Sequence, residues 1–175
     1  MGDPAGADEI SQIRLYVVMG VAGCGKTTIG EALAEATGGT FLDGDSYHPA
    51  ENIEKMSRGD PLTDDDRWPW LKIFGAEIAA RDGLVIGGCS SLKRSYRDHI
   101  TSAAGEPVLF IYLDGSRELI ADRMGKREGH FMPTSLLDSQ FAALEVPASD
   151  ECAISVNIDA TTAEIVEDLL RKLGR

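Results

Sequence analysis

The sequence lacks an excess of positive charge, and it lacks any apolar segment long enough to cross a membrane. Its 17 Lys and Arg residues stand against 29 Asp and Glu residues, which gives a formal net charge of −12. General binding to nucleic acid or to an anionic membrane surface needs a basic face. A membrane-spanning helix needs about 20 consecutive apolar residues. We therefore expect neither nucleic acid nor a membrane as a partner.

Cysteine is also scarce, since only Cys24, Cys89 and Cys152 are present. An odd number at this spacing fits neither a disulfide framework nor a metal site. Residues 1–11 are small and polar and lack the pattern of a secretory signal peptide. They predict a flexible tail. We accordingly expect a cytoplasmic protein, although these observations leave an organelle open.

One stretch organises the rest of the chain. Residues 20–27 read G-V-A-G-C-G-K-T and fit G-x-x-x-x-G-K-[ST], the phosphate-binding P-loop. The apolar run at 15–19 that precedes it predicts a buried strand. Ile29, Leu33 and Ala36 follow it at helical spacing. This strand–loop–helix context predicts a nucleotide-binding protein.

The residue types of the P-loop suit a triphosphate. Glycines let backbone N–H groups converge on phosphate oxygens, and a helix N-terminus adds partial positive charge there. Lys26 is expected to reach the β- and γ-phosphates of ATP, and the Thr27 hydroxyl to hold Mg²⁺. The predicted nucleotide-binding residues of this segment are Gly20, Val21, Ala22, Gly23, Cys24, Gly25, Lys26, Thr27 and Thr28.

Apolar segments alternate with helical segments along the remaining chain. Strands are predicted at 15–19, 40–42, 84–86, 108–113 and 153–158. Strands that alternate with helices predict an α/β fold with a parallel sheet covered on both faces. At 175 residues the chain suits a single domain. Its core is expected at about 12–45, 82–122 and 148–175, with excursions at about 46–81 and 123–147.

Two carboxylates, Asp43 and Asp45, follow the predicted second strand and flank Gly44. Ligands of parallel sheets bind beyond the carboxyl ends of the strands, so segments 20–27, 43–45 and 87–91 are expected to meet. Phosphoryl transfer uses one carboxylate near Mg²⁺ and often a second that orients the attacking hydroxyl. Asp114, after the fourth strand, competes for the metal role. Turn formation is the alternative explanation for each of these acids.

Several basic residues are candidates for an anionic substrate. Arg67 is a plausible clamp for a carboxylate, because its planar guanidinium favours bidentate pairing. Lys93 and Arg97 are predicted to share one helical face, with a solvated basic face as the alternative. Asp64–Asp66 suit the first turn of a helix, which explains two of the three without a metal. Gly87 and Gly88 suggest close approach of a ligand to the backbone, or simply the end of a strand.

Arg123 and Arg127 stand four residues apart before a Gly-His-Phe break at 129–131. Arginines on a mobile flap would close over the triphosphate and stabilise charge in the transition state. A solvated helix end is the alternative, because cations suit a helix C-terminus.

Further motifs between about residues 15 and 160 resemble those of gluconate kinases. They are D-G-D at 43–45 with His48-Pro49, N-I-E-K-M at 52–56, P-L-T-D-D-D-R at 61–67, Cys89-Ser90, L-K-R at 92–94, Arg127 with Gly129-His130-Phe131, and S-Q-F at 139–141. The resemblance implies a P-loop NTPase fold with a five-stranded parallel sheet. It also implies a helical substrate-binding region at about 46–81 and a mobile lid at about 123–147.

The resemblance implies transfer of the γ-phosphate of ATP to the 6-hydroxyl of D-gluconate, with Mg²⁺ and in a possible homodimer. Carried over, Thr27 and Asp43 are metal residues, and Asp45 is the base that orients the hydroxyl. The implied catalytic residues are Lys26, Asp45 and Arg127, and the implied substrate-binding residues are Asp45, His48, Arg67, Ser90, Lys93, Arg97 and His130. The run from Asp122 to Arg127 is similar to the lid of adenylate kinase, where the first arginine faces adenine and the second the phosphates.

One departure from the family pattern is Ser91, where those kinases have alanine. An added hydroxyl beside the substrate leaves the preferred sugar acid open. A shikimate kinase or a nucleoside monophosphate kinase is the nearest alternative. A nucleotide-dependent switch protein is the alternative from another class, although no N-K-x-D guanine-reading motif occurs.

Overall fold

The computed structural model describes residues 6–125 and 134–175, and its described strands form one parallel sheet. The strands are Leu15–Met19 (β1), Thr40–Asp43 (β2), Val85–Gly88 (β3), Val108–Asp114 (β4) and Ala153–Asn157 (β5). Their spatial order is β2-β3-β1-β4-β5. The predicted α/β fold with a five-stranded parallel sheet is confirmed.

Helices flank this sheet on both faces. In the described residues they are Ala7–Ile10 (α1), Lys26–Thr37 (α2), Ala50–Ser57 (α3), Asp64–Ala79 (α4), Arg94–Ala104 (α5), Arg117–Gly125 (α6), Thr134–Ala143 (α7) and Thr162–Leu173 (α8). Their ends follow local chemistry. Helix α4 begins at a capping box between Thr63 and Asp66, and α2 ends at Gly38 in the left-handed conformation.

Strand β1 is the centre of the core because its alternate side chains enter two different layers. Tyr16 and Val18 pack in the layer that contains residues of α2 and α8. Leu15, Val17 and Met19 pack in the layer formed with α4 and α5. All five side chains have 0% exposure. Each buried apolar side chain of this size stabilises the fold by about 1.5–3 kcal/mol, so β1 holds the P-loop that follows it on a rigid base.

Strand β3 extends two residues further than the sequence predicts, through Gly87 and Gly88. A Cβ atom on Gly87 would lie 2.5 Å from Cζ of Phe74 in α4. The absence of a side chain there lets α4 pack closely on the sheet. Helix packing therefore explains Gly87 without a ligand.

The predicted flexible tail at 1–11 is wrong at its carboxyl end. Helix α1 brings Ile10 into the core, where it is 8% exposed in the layer that also holds Ile13. Residues 1–5 lie outside the described part of the chain. Across the described residues, we find no helix with the length and apolar character that membrane crossing requires.

Candidate active site

The register of the sheet brings the carboxyl ends of β1, β2 and β3 to one edge. Gly88 of β3 pairs with Asp43 on one side and with Val18 on the other. The loop after β3 then joins the P-loop, because the Gly20 N–H donates to the Ser90 carbonyl at 3.2 Å. The three segments that the sequence predicts to meet are thus in contact with one another.

A cavity of about 160 Å³ opens where these segments meet. Its lining residues are Ala22, Lys26, Thr27, Asp43, Asp45, Gly88, Cys89, Ser90 and Gln140. Both candidate acids therefore face the same space as the P-loop lysine and threonine. A wider cavity of about 700 Å³ lies beside Val108, at the amino end of β4 and hence at the opposite edge of the sheet.

The P-loop has the backbone that a phosphate site needs. Gly23 and Gly25 have φ values of +81° and +99°, which L side chains rarely adopt. The Lys26 ammonium donates to the carbonyls of Gly20 at 3.0 Å and Val21 at 3.1 Å, so the P-loop backbone surrounds the positive charge of Lys26. Helix α2 begins at Lys26 and directs its free N–H groups into this loop. These features fit the phosphates of ATP.

Two predicted nucleotide-binding residues present only their backbone to the loop. The side chains of Val21 and Cys24 are 2% and 1% exposed and belong to the core. Burial raises the pKa of the Cys24 thiol, which keeps it protonated at neutral pH. Their side chains therefore belong to the core and anchor the loop, and only their main-chain groups can face a ligand.

A third cavity, of about 340 Å³, lies on the far side of the P-loop. It is lined by Gly23, Cys24, Gly25, Thr28, Ile29, Arg123, Ala160, Thr161, Thr162 and Ile165. Arg123 donates hydrogen bonds to the carbonyls of Ile158 and Ala160. This cavity continues from the phosphate loop, as an adenosine site requires.

Asp43 and Asp45 are held by a 3₁₀ turn at Gly44–Tyr47 that follows β2 directly. The Asp45 N–H donates to Oδ1 of Asp43 at 3.0 Å. From α4, the indole N–H of Trp70 donates to the Gly44 carbonyl at 2.8 Å. The backbone is thus fixed from two directions, while the Asp45 side chain remains 83% exposed.

No group of three or more His, Cys, Asp or Glu side chains within 6–125 and 134–175 has an arrangement that holds a metal ion. Mg²⁺ in phosphoryl-transfer sites is held by one or two protein oxygens together with phosphate oxygens. Thr27 and Asp43, which share the 160 Å³ cavity, supply that kind of donor. Asp114 is exposed at the end of β4 and does not line this cavity.

His48 lies beneath Asp45, with a side chain that is only 7% exposed. Its ring stacks on Trp70 at a centroid distance of 4.0 Å. Its Nδ1 lies 3.3 Å from Nδ2 of Asn52, and its Nε2 lies 3.8 Å from Oδ1 of Asp45. Burial lowers the pKa of His48, so the ring is neutral at pH 7.

Arg67 and Lys93, two candidates for an anionic substrate, come together around Asp64. The cationic nitrogens are each 3.7 Å from Oδ1 of Asp64. Cζ of Arg67 and Nζ of Lys93 also lie 5.5 and 5.6 Å from the ring centre of Tyr96, whose hydroxyl donates to Asp64. Burial, with Asp64 in addition, raises the pKa of Tyr96 to about 12. The arrangement concentrates two cations on one half-exposed patch.

Arg97 does not join that patch, and the structure contradicts the prediction that it binds substrate. It is 1% exposed and forms a bidentate pair with Glu151, with N–O distances of 2.7 and 3.1 Å. Its Nη1 donates to the Ser91 carbonyl at 2.9 Å. The predicted shared helical face is also wrong, because Lys93 precedes α5 in an extended conformation. Arg97 is therefore a structural residue of α5 that holds the loop after β3 in place.

Ser91 does not face substrate either. It is 2% exposed, and its hydroxyl donates to the Cys89 carbonyl at 3.1 Å. Its φ of +48° is unusual for a residue with a side chain. The departure from the family pattern therefore stabilises a strained loop rather than adding a contact in the cavity, which is lined instead by Ser90.

The three acids at 64–66 have different environments at the start of α4. Asp66 completes the capping box with Thr63 and accepts a hydrogen bond from Lys55 at 2.7 Å. The Lys55 hydrogen bond, with those from Thr63, lowers the pKa of Asp66 to about 2. Asp65 is exposed. Asp64 alone of the three belongs to the cation patch.

Gln140 of α7 is the site residue that sequence reasoning missed. Its Oε1 accepts a hydrogen bond from the Ala22 N–H of the P-loop at 2.5 Å. The available signal was its place in the S-Q-F motif at 139–141. Arg127 and His130, predicted for the lid and the substrate, lie outside the described residues.

The parallel sheet, the P-loop and the acids beside it define a P-loop kinase that acts on a small molecule. A family model described as shikimate kinase matches residues 22–173. Gluconokinase from Gluconobacter oxydans is 47% identical over 162 residues, which cover 90% of each chain.

Solved structures agree with this comparison. A gluconokinase from Sinorhizobium meliloti superposes with a TM-score of 0.84 at 46% identity, covering 99% of this chain and 94% of that one. Shikimate kinase from Bacteroides thetaiotaomicron has a TM-score of 0.67 at 19% identity, covering 91% and 98%, and shares the fold. The chain belongs to the gluconokinase family, within the wider group that the shikimate kinase model matches.

Proposed function

We propose that this protein phosphorylates D-gluconate at its 6-hydroxyl with ATP, releasing 6-phospho-D-gluconate and ADP. The observation that carries the proposal is the shared cavity, in which Lys26 and Thr27 of the P-loop face Asp43 and Asp45. A phosphate donor and an alcohol acceptor can meet there with a carboxylate at hand. Gluconokinases at 46–47% identity support the choice of gluconate.

The nucleotide is bound by the main chain of residues 20–28 and by Lys26, which neutralises charge on the β- and γ-phosphates. Arg123 borders the adenosine end, beside Thr161 and Thr162. Thr27 and Asp43 would hold Mg²⁺, whose charge offsets that of the phosphates when it is bound. Arg127, on the lid, is proposed to complete the shielding of the γ-phosphate.

Gluconate is proposed to bind with its carboxylate toward Arg67 and Lys93 and its 6-hydroxyl toward Asp45. Asp45 accepts the hydroxyl proton as the oxygen forms its bond to the γ-phosphorus and the bond from that phosphorus to the ADP oxygen breaks. Ser90 lines the same cavity and supplies a hydroxyl for a sugar hydroxyl. His130 completes the proposed substrate site, and His48 borders it beside Asp45.

A panel of acceptors tests the proposal. Purified protein with ATP and Mg²⁺ is given gluconate, shikimate or AMP, and ADP formation is followed by a coupled assay. We expect turnover with gluconate to exceed the other two by at least 100-fold in kcat/KM. Comparable turnover of shikimate or AMP, or none of gluconate, would overturn the substrate assignment.

We also propose a cytoplasmic homodimer, a state that the family resemblance suggests. Light scattering of the purified chain measures its mass against the 18.8 kDa of one copy. A mass of one copy across the working concentration range would rule out the dimer.

A further inference from the structure

Asn52 is one of the few buried polar side chains of the described residues, at 4% exposure on α3. Its Nδ2 donates to the backbone carbonyl of Asp66 at 2.9 Å and lies 3.3 Å from Nδ1 of His48. A backbone carbonyl only accepts hydrogen bonds, so the group that faces it must be the NH₂ of the amide. The orientation of the Asn52 amide is therefore determined.

That orientation determines where His48 carries its hydrogen. One hydrogen of the Asn52 NH₂ points at the Asp66 carbonyl, and the other points at Nδ1 of His48. Nδ1 must accept it, because a hydrogen on Nδ1 would oppose the amide hydrogen. The hydrogen of the neutral ring is consequently on Nε2, and burial of the ring opposes a second proton.

The Nε2–H points toward the acid that we propose as the base. Nε2 lies 3.8 Å from Oδ1 of Asp45, about 0.8 Å beyond a typical N–H···O hydrogen bond. Stacking on Trp70 at 4.0 Å fixes the plane of the donor ring. The acceptor can move, because the Asp45 side chain is 83% exposed on a fixed backbone.

We propose that His48 is a positioning residue for Asp45, set by Asn52 in the form that presents an Nε2–H to one carboxylate oxygen. This inference rests on the proposed role of Asp45. The hydrogen bond to one oxygen directs the other oxygen toward the substrate hydroxyl. A neutral donor orients the carboxylate without supplying a proton that would neutralise it. His48 then acts through Asp45 and need not contact gluconate.

Steady-state kinetics separate positioning from direct binding of substrate. We expect His48→Leu to lower kcat by about 10- to 100-fold, the range found when an outer-shell partner that orients a metal-ligating residue is removed. KM for gluconate should change less than threefold. His48→Gln restores an N–H donor near the Nε2 position, and we expect its kcat to exceed that of His48→Leu by at least fivefold. A direct substrate contact would instead raise KM and spare kcat.

A double-mutant cycle tests whether the effect passes through Asp45. In the Asp45→Asn background, His48→Leu should lower the residual kcat by less than threefold. An undiminished effect in that background would overturn the inference. Thermal denaturation gives the Tm of each variant. Assays run well below that Tm exclude losses of activity that arise only from unfolding after the stack on Trp70 is removed.

Nitrogen NMR of the wild-type protein tests the inference without any turnover. We expect the His48 ring at pH 7 to show a protonated Nε2 and an unprotonated Nδ1, and Asn52→Leu to convert this into a mixture of forms. A protonated Nδ1 in the wild type would overturn the inference. This readout stands even if gluconate is not the substrate, so failure of the proposed function and failure of the positioning role are distinguishable.

Discussion

Replacing Arg97 by alanine removes the cation from an ion pair that is almost sealed from water. The side chains of Arg97 and Glu151 are 2% and 9% exposed. The Arg97 guanidinium also donates to the carbonyls of Ser91 and Leu92. After the change, the Glu151 carboxylate keeps the Ala148 N–H at 2.7 Å as a partner but loses its counter-ion.

The expected loss is large because the remaining charge stays buried. Removing one partner of a buried pair costs about 3–5 kcal/mol of the free energy of unfolding. A domain has about 5–15 kcal/mol in total. At roughly 2–4 °C per kcal/mol for a chain of this size, Tm should fall by about 6–20 °C.

Urea unfolding followed by circular dichroism measures the loss, and the chain offers a matched control. Arg94 and Asp150 form a bidentate pair with N–O distances of 3.0 and 2.9 Å, but their side chains are 44% and 56% exposed. Arg94→Ala should cost far less than Arg97→Ala, because water replaces the lost partner. If Arg97→Ala does not fold, Glu151→Gln keeps an acceptor and gives a smaller loss in the same direction.

Equal losses for Arg97→Ala and Arg94→Ala would refute the argument from burial. If Arg97→Ala leaves the free energy of unfolding unchanged and raises KM for gluconate more than tenfold, Arg97 is a substrate-binding residue after all. The second result would show that the guanidinium faces the cavity in solution.

Three further changes test other parts of the account. The pKa of Asp66 is lowered from 3.8 to about 2, so its ionised form stabilises the fold above about pH 4, and this stabilisation is lost as the pH falls toward 2. The difference in free energy of unfolding between the wild type and Asp66→Asn, measured by urea unfolding, should therefore disappear over that range. Gly87→Ala places a methyl 2.5 Å from Phe74 and should cost about 1–3 kcal/mol. Gly125→Ala, where a Cβ would have no neighbour within 4 Å among the described residues, should leave Tm nearly unchanged. Lys26→Ala should weaken ATP binding in calorimetry and lower kcat/KM together, and a variant that keeps both would remove the lysine from phosphate recognition.

Local chemistry explains why the P-loop and the acids after β2 could be predicted. A P-loop needs fixed residue types at fixed spacing, and the strand before it and the helix after it each leave a periodic pattern in the sequence. The carboxyl ends of parallel strands lie at one edge of the sheet, which brings segment 43–45 near segment 20–27 although β3 lies between their strands. The P-loop and the acids after β2 could thus be predicted from short-range sequence patterns and from the topology of a parallel sheet.

Contacts between distant segments could not be predicted in this way. Arg97 meets Glu151 across 54 residues, and Gln140 meets Ala22 across 118. Nothing near Arg97 in the sequence distinguishes a buried cation from an exposed one. The four-residue spacing of Lys93 and Arg97 predicted a shared helical face, but α5 begins one residue after Lys93. Partner choice at such distances is set by the packing of helices on the sheet.

The central claim is that Asp45 directs the sugar-acid hydroxyl onto a phosphate held by the P-loop. Its most direct test compares wild type with Asp45→Asn in a coupled assay at saturating ATP and gluconate, with ATP affinity measured separately by calorimetry. The account predicts that kcat falls by about 10²- to 10⁴-fold, while the Kd for ATP changes less than threefold. An Asp45→Asn variant with the wild-type kcat would contradict the claim.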